Sequence, residues 1–283
     1  SWEVISPDLT LNLKSHQQSS GGIAIDNLMT FDGSVLFAIN ESPLKQGLIW
    51  VGSNDGQVHL TRNGGRTWIN LSENINMPPW GTISNIEASR FDSKTAYISV
   101  DFHQMGDFDP YIYKTTDYGK SWKKISADIP KSFSSFVHVV KEDPKQESVL
   151  YAGTDNSVYV SVDGGEYWTK INNNLPPAPV YWITIQEHFD DMVIGTYGRG
   201  IYILDDISPF REMANSNQNE VNFMPIQDAY RFQQIQSMKN DGTSLIRGQN
   251  PSYGANIDFF LPDTNSQEVT ISIQDLSGNE IRK

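Results

Sequence analysis

One eight-residue pattern, repeated three times, constrains the fold of this chain more than any other feature. It has the form [S/T]-x-[D/N]-x-G-x-x-W and occurs at Thr61–Trp68, Thr115–Trp122 and Ser161–Trp168. An apolar residue follows each tryptophan three and seven positions later, as Leu71 and Ile75 follow Trp68. Repeats spaced by about 40 to 50 residues are typical of β-propeller blades. The octets therefore predict a propeller.

The residues around each octet predict the strands of a blade. Two strand-like runs separated by a turn precede each octet, as in a β-hairpin, and a further β-rich run precedes the hairpin. The residues after the tryptophan can supply a fourth strand. A fourth unit keeps three runs, ends in Asp205–Pro209 without the octet, and is interpreted as the last blade. Trp2, with Ile5 and Leu9 behind it, is interpreted as the end of an earlier octet.

We expect the octet residues to be structural. The Asp or Asn can accept hydrogen bonds from its own turn, the glycine allows a positive φ, and the Ser or Thr hydroxyl adds a local bond. The tryptophan should pack between neighbouring sheets and bury on the order of 150 to 250 Å². The residues concerned are Thr61, Asn63, Gly65, Trp68, Thr115, Asp117, Gly119, Trp122, Ser161, Asp163, Gly165 and Trp168.

The repeats and the residues after them predict how the chain is organised. Residues 1–211 are expected to be the C-terminal blades of an all-β partial propeller, with about four blades present. The polar run Met213–Glu220 predicts a linker over residues 212–222. Short strand-like runs and turns over residues 223–283 predict the start of a β-sandwich-like domain.

Composition excludes several kinds of partner and chemistry. The formal net charge is −13 and no block of lysines or arginines could follow a phosphate backbone, so nucleic acid is not an expected partner. The sequence has no run of about 18 apolar residues, which is the length needed to span a bilayer. Cysteine is absent, which rules out disulfides, thiolate metal ligands and a cysteine nucleophile.

The candidate ligand-binding residues lie in two segments. An insertion in the hairpin of the second blade carries Asp101, His103, Asp107, Asp109 and Tyr111. Such a loop could bind a sugar, hold calcium through its oxygens, pair with basic groups of a partner, or be a solvated loop against its neighbour. Its acids do not follow the spacing of an EF-hand, so calcium has weak support. The histidines lack metal-binding spacing, and no transition-metal site or other cofactor is expected.

The second segment is the turn that contains Tyr197 and Arg199 between two glycines. A ligand could approach the backbone there, and the guanidinium could bind a carboxylate. The sequence favours an inter-blade salt bridge for Arg199 over ligand binding.

The octets are Asp-boxes, and longer stretches resemble a known family. IWVGSNDGQVHLTRNGGRTW (Ile49–Trp68), LYAGTDNSVYVSVDGG (Leu150–Gly165) and GTYGRGIYILDDISPFR (Gly195–Arg211) resemble the sortilin-like BNR-repeat proteins of Gram-negative bacteria that are commonly labelled glycosyl hydrolases. The resemblance covers roughly Trp2 to Phe210. It implies the C-terminal part of a large exported propeller, in the periplasm, at the outer membrane or outside the cell, with remaining blades of a parent chain as partners.

Three functions remain open at this stage. The first is a recognition module that binds a glycan or a peptide, which the structural motifs favour. The second is a glycoside hydrolase whose active site is completed by other blades, since hydrolysis needs two carboxyl groups about 5 to 9.5 Å apart. The third is a structural part of a cell-surface or secretion complex. Fold alone does not decide among them.

Overall fold

The computed structural model describes residues 2–16, 35–217, 219–229, 254–262 and 270–282. The chain divides into two compact units, Ser1–Ala214 and Asn215–Lys283. In the first unit, the described residues form three four-stranded antiparallel sheets and one three-stranded sheet, each from strands consecutive in the chain. The prediction of an all-β partial propeller with about four blades is confirmed.

The blades follow one another in chain order. Blade 1 contains β1 (Leu36–Glu41), β2 (Ile49–Ser53), β3 (Val58–Thr61) and β4 (Ile69–Asn70). Blade 2 contains β5 (Thr82–Ala88), β6 (Ala96–Asp101), β7 (Tyr111–Thr115) and β8 (Lys123–Lys124). Blade 3 contains β9 (Val137–Glu142), β10 (Leu150–Thr154), β11 (Val158–Ser161) and β12 (Thr169–Lys170). Blade 4 contains only β13 (Val180–Gln186), β14 (Asp191–Thr196) and β15 (Gly200–Leu204).

The fourth strand of each complete blade begins directly after the Asp-box tryptophan. Ile69 pairs with Leu60, Lys123 with Lys114 and Thr169 with Val160. Blade 4 has no Asp-box, and the described residues supply no strand to the outer edge of β15. Among the residues that the structure describes, three short 3-10 helices lie at Lys14–His16, Ser72–Asn74 and His103–Met105.

Apolar contacts between successive sheets form the core. The first strands lie against one another, β1 on β5, β5 on β9 and β9 on β13. Three clusters of buried aliphatic and aromatic side chains fill the spaces between the sheets. Trp50, Tyr97 and Tyr151 are among the largest fully buried residues. Hydrophobic burial between blades is therefore the main stabilising term.

Each Asp-box makes the same set of local hydrogen bonds. In blade 3, the Ser161 hydroxyl donates to Asp163 (2.8 Å) and accepts from the Gly165 amide (2.8 Å). Asp163 Oδ1 also accepts from the Tyr167 amide at 3.0 Å. The φ angle of Gly165 is +97°, a conformation that favours glycine. The boxes of blades 1 and 2 repeat these bonds.

The tryptophans of the Asp-boxes differ in their surroundings. Trp168 is buried, and its indole donates to the Ile125 carbonyl of the preceding blade at 2.6 Å. Trp68 is half-buried, and its indole donates to the Ile5 carbonyl at 2.9 Å. Trp122 is also half-buried, and its indole donates to the Gly119 carbonyl of its own box.

An α-helix that the sequence analysis did not expect follows blade 4. This helix, α1 (Ser208–Asn215), includes residues 212–215 of the predicted linker. Pro209 suits the first turn of a helix, and Asp206 Oδ1 accepts hydrogen bonds from the Ser208 amide (3.0 Å) and hydroxyl (2.6 Å). Buried Arg211 binds Asp143 of blade 3 at 2.8 Å. Among the described residues, no helix is long and apolar enough to cross a membrane.

The described residues of the second unit form two short strand pairs. Strand β16 (Asn222–Phe223) pairs with β17 (Phe259–Phe260), and β18 (Ile273–Gln274) pairs with β19 (Glu280–Arg282). The predicted β-sandwich-like domain also includes residues 230–253 and 263–269, which lie outside the described residues. Its assignment stays a prediction.

Candidate ligand-binding site

The two candidate segments lie at the same end of the sheets. This end, here called the rim, is where the second strand of each blade ends and the first strand begins: Asp101 pairs with Thr82, and Thr196 pairs with Val180. The Asp-boxes follow the third strands and therefore lie at the opposite end.

Two contacts hold the beginning of the inserted loop. Asp101 accepts a hydrogen bond from the His103 amide (2.8 Å), and its carboxylate lies 2.7 Å from His103 Nδ1. Phe102 is fully buried, and its ring packs edge-on against Tyr111 with centroids 4.8 Å apart. The buried Phe102 ring thus helps to fix the positions of the polar side chains of Asp101 and His103 on either side of it.

The second half of the loop is held by Asp107 and Asp109. Asp107 accepts hydrogen bonds from the Asp109 amide (2.9 Å) and the Tyr111 hydroxyl (2.7 Å). Burial raises the pKa of Tyr111, and the hydrogen bond to Asp107 raises it further, so the hydroxyl remains a donor at neutral pH. Asp109 forms an ion pair with Lys131, and the Lys124 ammonium lies 3.7 Å from the centre of the Tyr111 ring.

A row of five rings joins the loop to the turn of blade 4. Neighbouring rings have centroids 4.8, 5.1, 4.0 and 5.8 Å apart, in the order His103, Phe136, His138, Tyr181 and Tyr197. We call this set the ring row. It crosses three blades, so the loop and the turn that the sequence singled out separately belong to one surface.

His138 lies at the centre of the ring row. It is buried, stacks on Tyr181 with an interplanar angle of 20°, and its Nε2 lies 3.1 Å from Asp155 Oδ1. Burial lowers the pKa of His138, with Asp155 and Asp101 opposing that shift. The imidazole is therefore neutral at neutral pH. The ring row is an aromatic surface in which each of the two histidines contacts a carboxylate.

The blade 4 end of the ring row is open to solvent. Tyr181 and Tyr197 are 50% and 73% exposed. Beside the inserted loop, Phe133 is 84% exposed and contacts Phe108 edge-on at 5.5 Å. Together with Gly106 and Lys131, these two phenylalanines line a shallow depression. Exposed, supported rings with carboxylates nearby are suited to bind a peptide side chain or the face of a sugar.

Arg199 is exposed and forms no ion pair with a residue that the structure describes. The inter-blade salt bridge favoured from the sequence is not formed with any described residue, and it stays a prediction. Within the described residues, no group of three His, Cys, Asp or Glu side chains could hold a metal ion.

Sequence reasoning missed the middle of the ring row. Phe136, His138 and Tyr181 of the row, and Asp155 beside it, are not among the candidates, because the sequence analysis considers the histidines only for metal-binding spacing. A signal was present: β9 and β13 both begin at this rim, and His138 and Tyr181 are the second residues of these strands. Aligning the first strands of the blades would have placed the two rings side by side.

Comparison with known proteins places these features in a family. The Sortilin-Vps10 model, described as sortilin, neurotensin receptor 3, matches residues 56–199. Vacuolar protein sorting/targeting protein 10 of Laccaria bicolor is 29% identical over 110 residues, which make up 38% of this chain and 7% of that protein. The chain thus spans a small part of the length of this relative.

Solved structures with a similar arrangement include two propellers. A GH74 enzyme of Niastella koreensis superimposes with a TM-score of 0.48 and 13% identity, covering 60% of this chain and 28% of that one. YCF48 from Cyanidioschyzon merolae superimposes with a TM-score of 0.42 and 21% identity, covering 61% of this chain and 53% of that one.

Proposed function

The chain belongs to the Sortilin-Vps10 family, and from this premise we propose that its blades form a peptide-recognition module of an exported protein. The observation that carries the proposal is the ring row, which links three blades and exposes Tyr181 and Tyr197 at one end. The description of the matching family model names a receptor for neurotensin, a peptide. A peptide is therefore the ligand class that we favour.

The geometry supports binding through fixed rings. Phe136 and His138 are buried, so the exposed rings rest on a rigid base and lose little conformational freedom when a ligand binds. Aromatic side chains with few rotatable bonds provide large contact areas at low entropic cost. The exposed guanidinium of Arg199, beside Tyr197, can bind a carboxylate of the ligand.

The carboxylates of the rim are engaged in structural contacts. Asp101 and Asp155 bind His103 and His138, and Asp109 binds Lys131. Glu142, a carboxyl whose pKa is raised by burial, lies at the other end of β9, inside the sheet contacts. A glycosidase needs such a proton donor facing its substrate. This arrangement favours recognition over hydrolysis.

A binding screen with matched variants tests the proposal. The chain is immobilised and exposed to a random peptide library and, separately, to a panel of neutral and sialylated glycans; the best peptides are then titrated. We expect Tyr197→Ala to weaken peptide binding by about tenfold, which corresponds to the loss of one aromatic contact of about 1.4 kcal/mol. Tyr167→Ala is the control, because Tyr167 is 74% exposed and lies in the Asp-box of blade 3.

Three outcomes would overturn the proposal. One is a library that yields no peptide with measurable affinity. Another is equal affinity of the Tyr197→Ala and Tyr167→Ala variants for the selected peptides. A third is release of free sugar from any glycan of the panel, detected by mass spectrometry, which would favour the hydrolase alternative.

A further inference from the structure

The interface between blades 1 and 2 carries a stacked cation and ring at the end of the sheets opposite the rim. The guanidinium carbon of Arg62 lies 4.2 Å from the centre of the Tyr118 ring. Arg62 belongs to the Asp-box of blade 1 and Tyr118 to that of blade 2, so both blades that form the contact are present in this chain. A guanidinium stacked on a ring keeps its edge N–H groups available to bind the oxygens of an anion.

Tyr118 adopts a backbone conformation that the other Asp-boxes give to glycine. Its φ angle is +62°, and the equivalent residues are Gly64 and Gly164, at +69° and +77°. A left-handed conformation strains a bulky residue. Strain of this kind is often found at functional sites, where another contribution offsets it. The turn alone would favour glycine, so we infer that the tyrosine ring has a role outside the turn.

Two lysines add positive charge beside Tyr118. Lys45 lies in the turn between β1 and β2, and Lys94 lies in the turn between β5 and β6, where its carbonyl accepts a hydrogen bond from the Tyr118 amide at 3.0 Å. A hydrogen bond with Ser93, and then the charges of Arg62, Lys45 and Lys94, lower the pKa of Tyr118. The local potential is therefore positive, although the chain has a formal net charge of −13. We call Lys45, Arg62, Lys94 and Tyr118 the basic cluster.

The three cations of the basic cluster are exposed, and they form no ion pair with a residue that the structure describes. Carboxylates close by in the sequence bind their own turns. Asp92 accepts from the Lys94 amide (3.2 Å) and the Thr95 hydroxyl (3.0 Å). Asp117 accepts from the Ser121 amide (3.0 Å) and hydroxyl (2.6 Å). The charges that act most strongly on the Tyr118 hydroxyl are those of the three cations.

The next interface, between blades 2 and 3, forms without such a cluster. The residues there that are equivalent to Arg62, Tyr118 and Lys94 are Thr116, Gly164 and Ser148. All three are uncharged, and the two blades still pack through a shared apolar core. Packing of successive blades therefore does not require the basic cluster.

We propose that the basic cluster binds a phosphate group. The fork of Arg62 can bind two phosphate oxygens, and Lys45 and Lys94 supply further positive charge. Tyr118 and Ser93 have their hydroxyl oxygens 3.3 Å apart, and either can donate, so the Tyr118 O–H can bind the ligand while Ser93 donates to Tyr118. Three cations suit a phosphate ester, which carries a charge of about −1.5 to −2 at pH 7, better than a singly charged carboxylate.

Calorimetric titration of the chain with glycerol 3-phosphate tests the proposal. Arg62→Ala should weaken binding at least about tenfold, because it removes the bidentate contact. Tyr118→Gly should also weaken binding without lowering the midpoint of thermal unfolding, because blades 1 and 3 carry glycine at this position. Lys170→Ala is the control, since it removes the same charge from the exposed strand β12.

A second titration identifies the source of the phosphate. Vesicles of phosphatidylcholine with phosphatidic acid present the same group on a lipid surface, and co-sedimentation measures their binding. Binding of the ester, or of the vesicles only, with the same order of variants supports the proposal and assigns the phosphate to a soluble molecule or to a lipid headgroup. Absence of binding to both probes would overturn the proposal, as would equal affinities of Arg62→Ala and Lys170→Ala. These measurements use no peptide, so their outcome is independent of the recognition function.

Discussion

The side chain of Ile125, three residues after the tryptophan of blade 2, fills the space above Gly165 in the Asp-box of blade 3. A Cβ atom on Gly165 would lie 2.6 Å from Ile125 Cδ1. Gly119 meets the Leu71 side chain in the same way, and Gly65 meets the carbonyl oxygen and Cβ of Ile5. The apolar tail after one octet thus packs on the glycine of the next octet, which explains why the two features repeat together in the sequence.

The first prediction is that Gly165→Ala destabilises the fold more than Gly164→Ala. Both residues have positive φ angles, +97° and +77°, so alanine strains the backbone at either position. At Gly165 the new methyl group would lie 2.6 Å from Ile125 Cδ1, whereas at Gly164 its nearest neighbour is Lys114 Nζ at 3.7 Å, an ordinary contact. The overlap at Gly165 adds about 1 to 3 kcal/mol to the cost. Urea unfolding of the two variants measures the difference. Equal losses of unfolding free energy would show that the Ile125 contact does not matter.

The blades could be predicted because their signals are local. Alternation of apolar residues and turn residues marks each hairpin, and the octet marks each turn before the fourth strand. The ring row could not be predicted in this way, because His138 and Tyr181 become neighbours only when the register between blades is known. The same is true of Arg211, whose partner Asp143 is distant in sequence and buried in another blade. Contacts between repeats, rather than within them, were the missing information.

The second prediction concerns the buried carboxyl of Glu142. It accepts hydrogen bonds from the Ser89 hydroxyl (2.9 Å), the Arg90 amide (2.7 Å) and the Tyr97 hydroxyl (3.1 Å), which join blades 2 and 3. Tyr97→Phe removes one donor from a group that water cannot reach, and should cost about 1 to 3 kcal/mol of unfolding free energy.

Tyr113→Phe is the matched control for Tyr97→Phe. The Tyr113 hydroxyl donates to the Asn76 carbonyl at 3.3 Å, a long bond to a neutral acceptor. We expect Tyr113→Phe to cost about 0.5 to 1 kcal/mol of unfolding free energy. If chemical denaturation gives the same loss of unfolding free energy for both variants, the bond to Glu142 contributes no more than an ordinary hydrogen bond.

The third prediction is that Arg211 anchors α1 to the blades. Its guanidinium lies 2.8 Å from both Asp143 and Asp190, and the Asp143 side chain is fully buried. Arg211→Ala leaves that carboxylate without its cation, which should cost about 3 to 5 kcal/mol. Arg199→Ala removes an exposed guanidinium and should change stability by less than about 0.5 kcal/mol. Thermal unfolding followed by circular dichroism compares them, and similar midpoints would contradict the anchoring role.

The last prediction is that His138 makes the fold sensitive to acid. Burial lowers the pKa of His138 in the folded protein below the 6.5 of an ordinary histidine. The unfolded chain therefore takes up the proton first, so this contribution to stability is intact above about pH 6.5 and is lost as the pH falls from there through the folded pKa. The charged and titratable groups facing the imidazole are Asp155, Asp101 and His103. The two carboxylates raise the pKa of His138 without overcoming the effect of burial, and His103 lowers it further.

Urea titrations at several pH values test this expectation. Between pH 6.5 and pH 5, the native chain should lose up to about 1.4 kcal/mol per pH unit more than His138→Phe, the limit for one proton. Phenylalanine suits the position because Phe37 occupies it in blade 1, and its ring can still stack on Tyr181. His188→Phe, a change at an exposed site, should keep the native slope. If His138→Phe follows the same pH profile as the native chain, another group is the source of the acid sensitivity, and the neutral imidazole is not required to hold the ring row together.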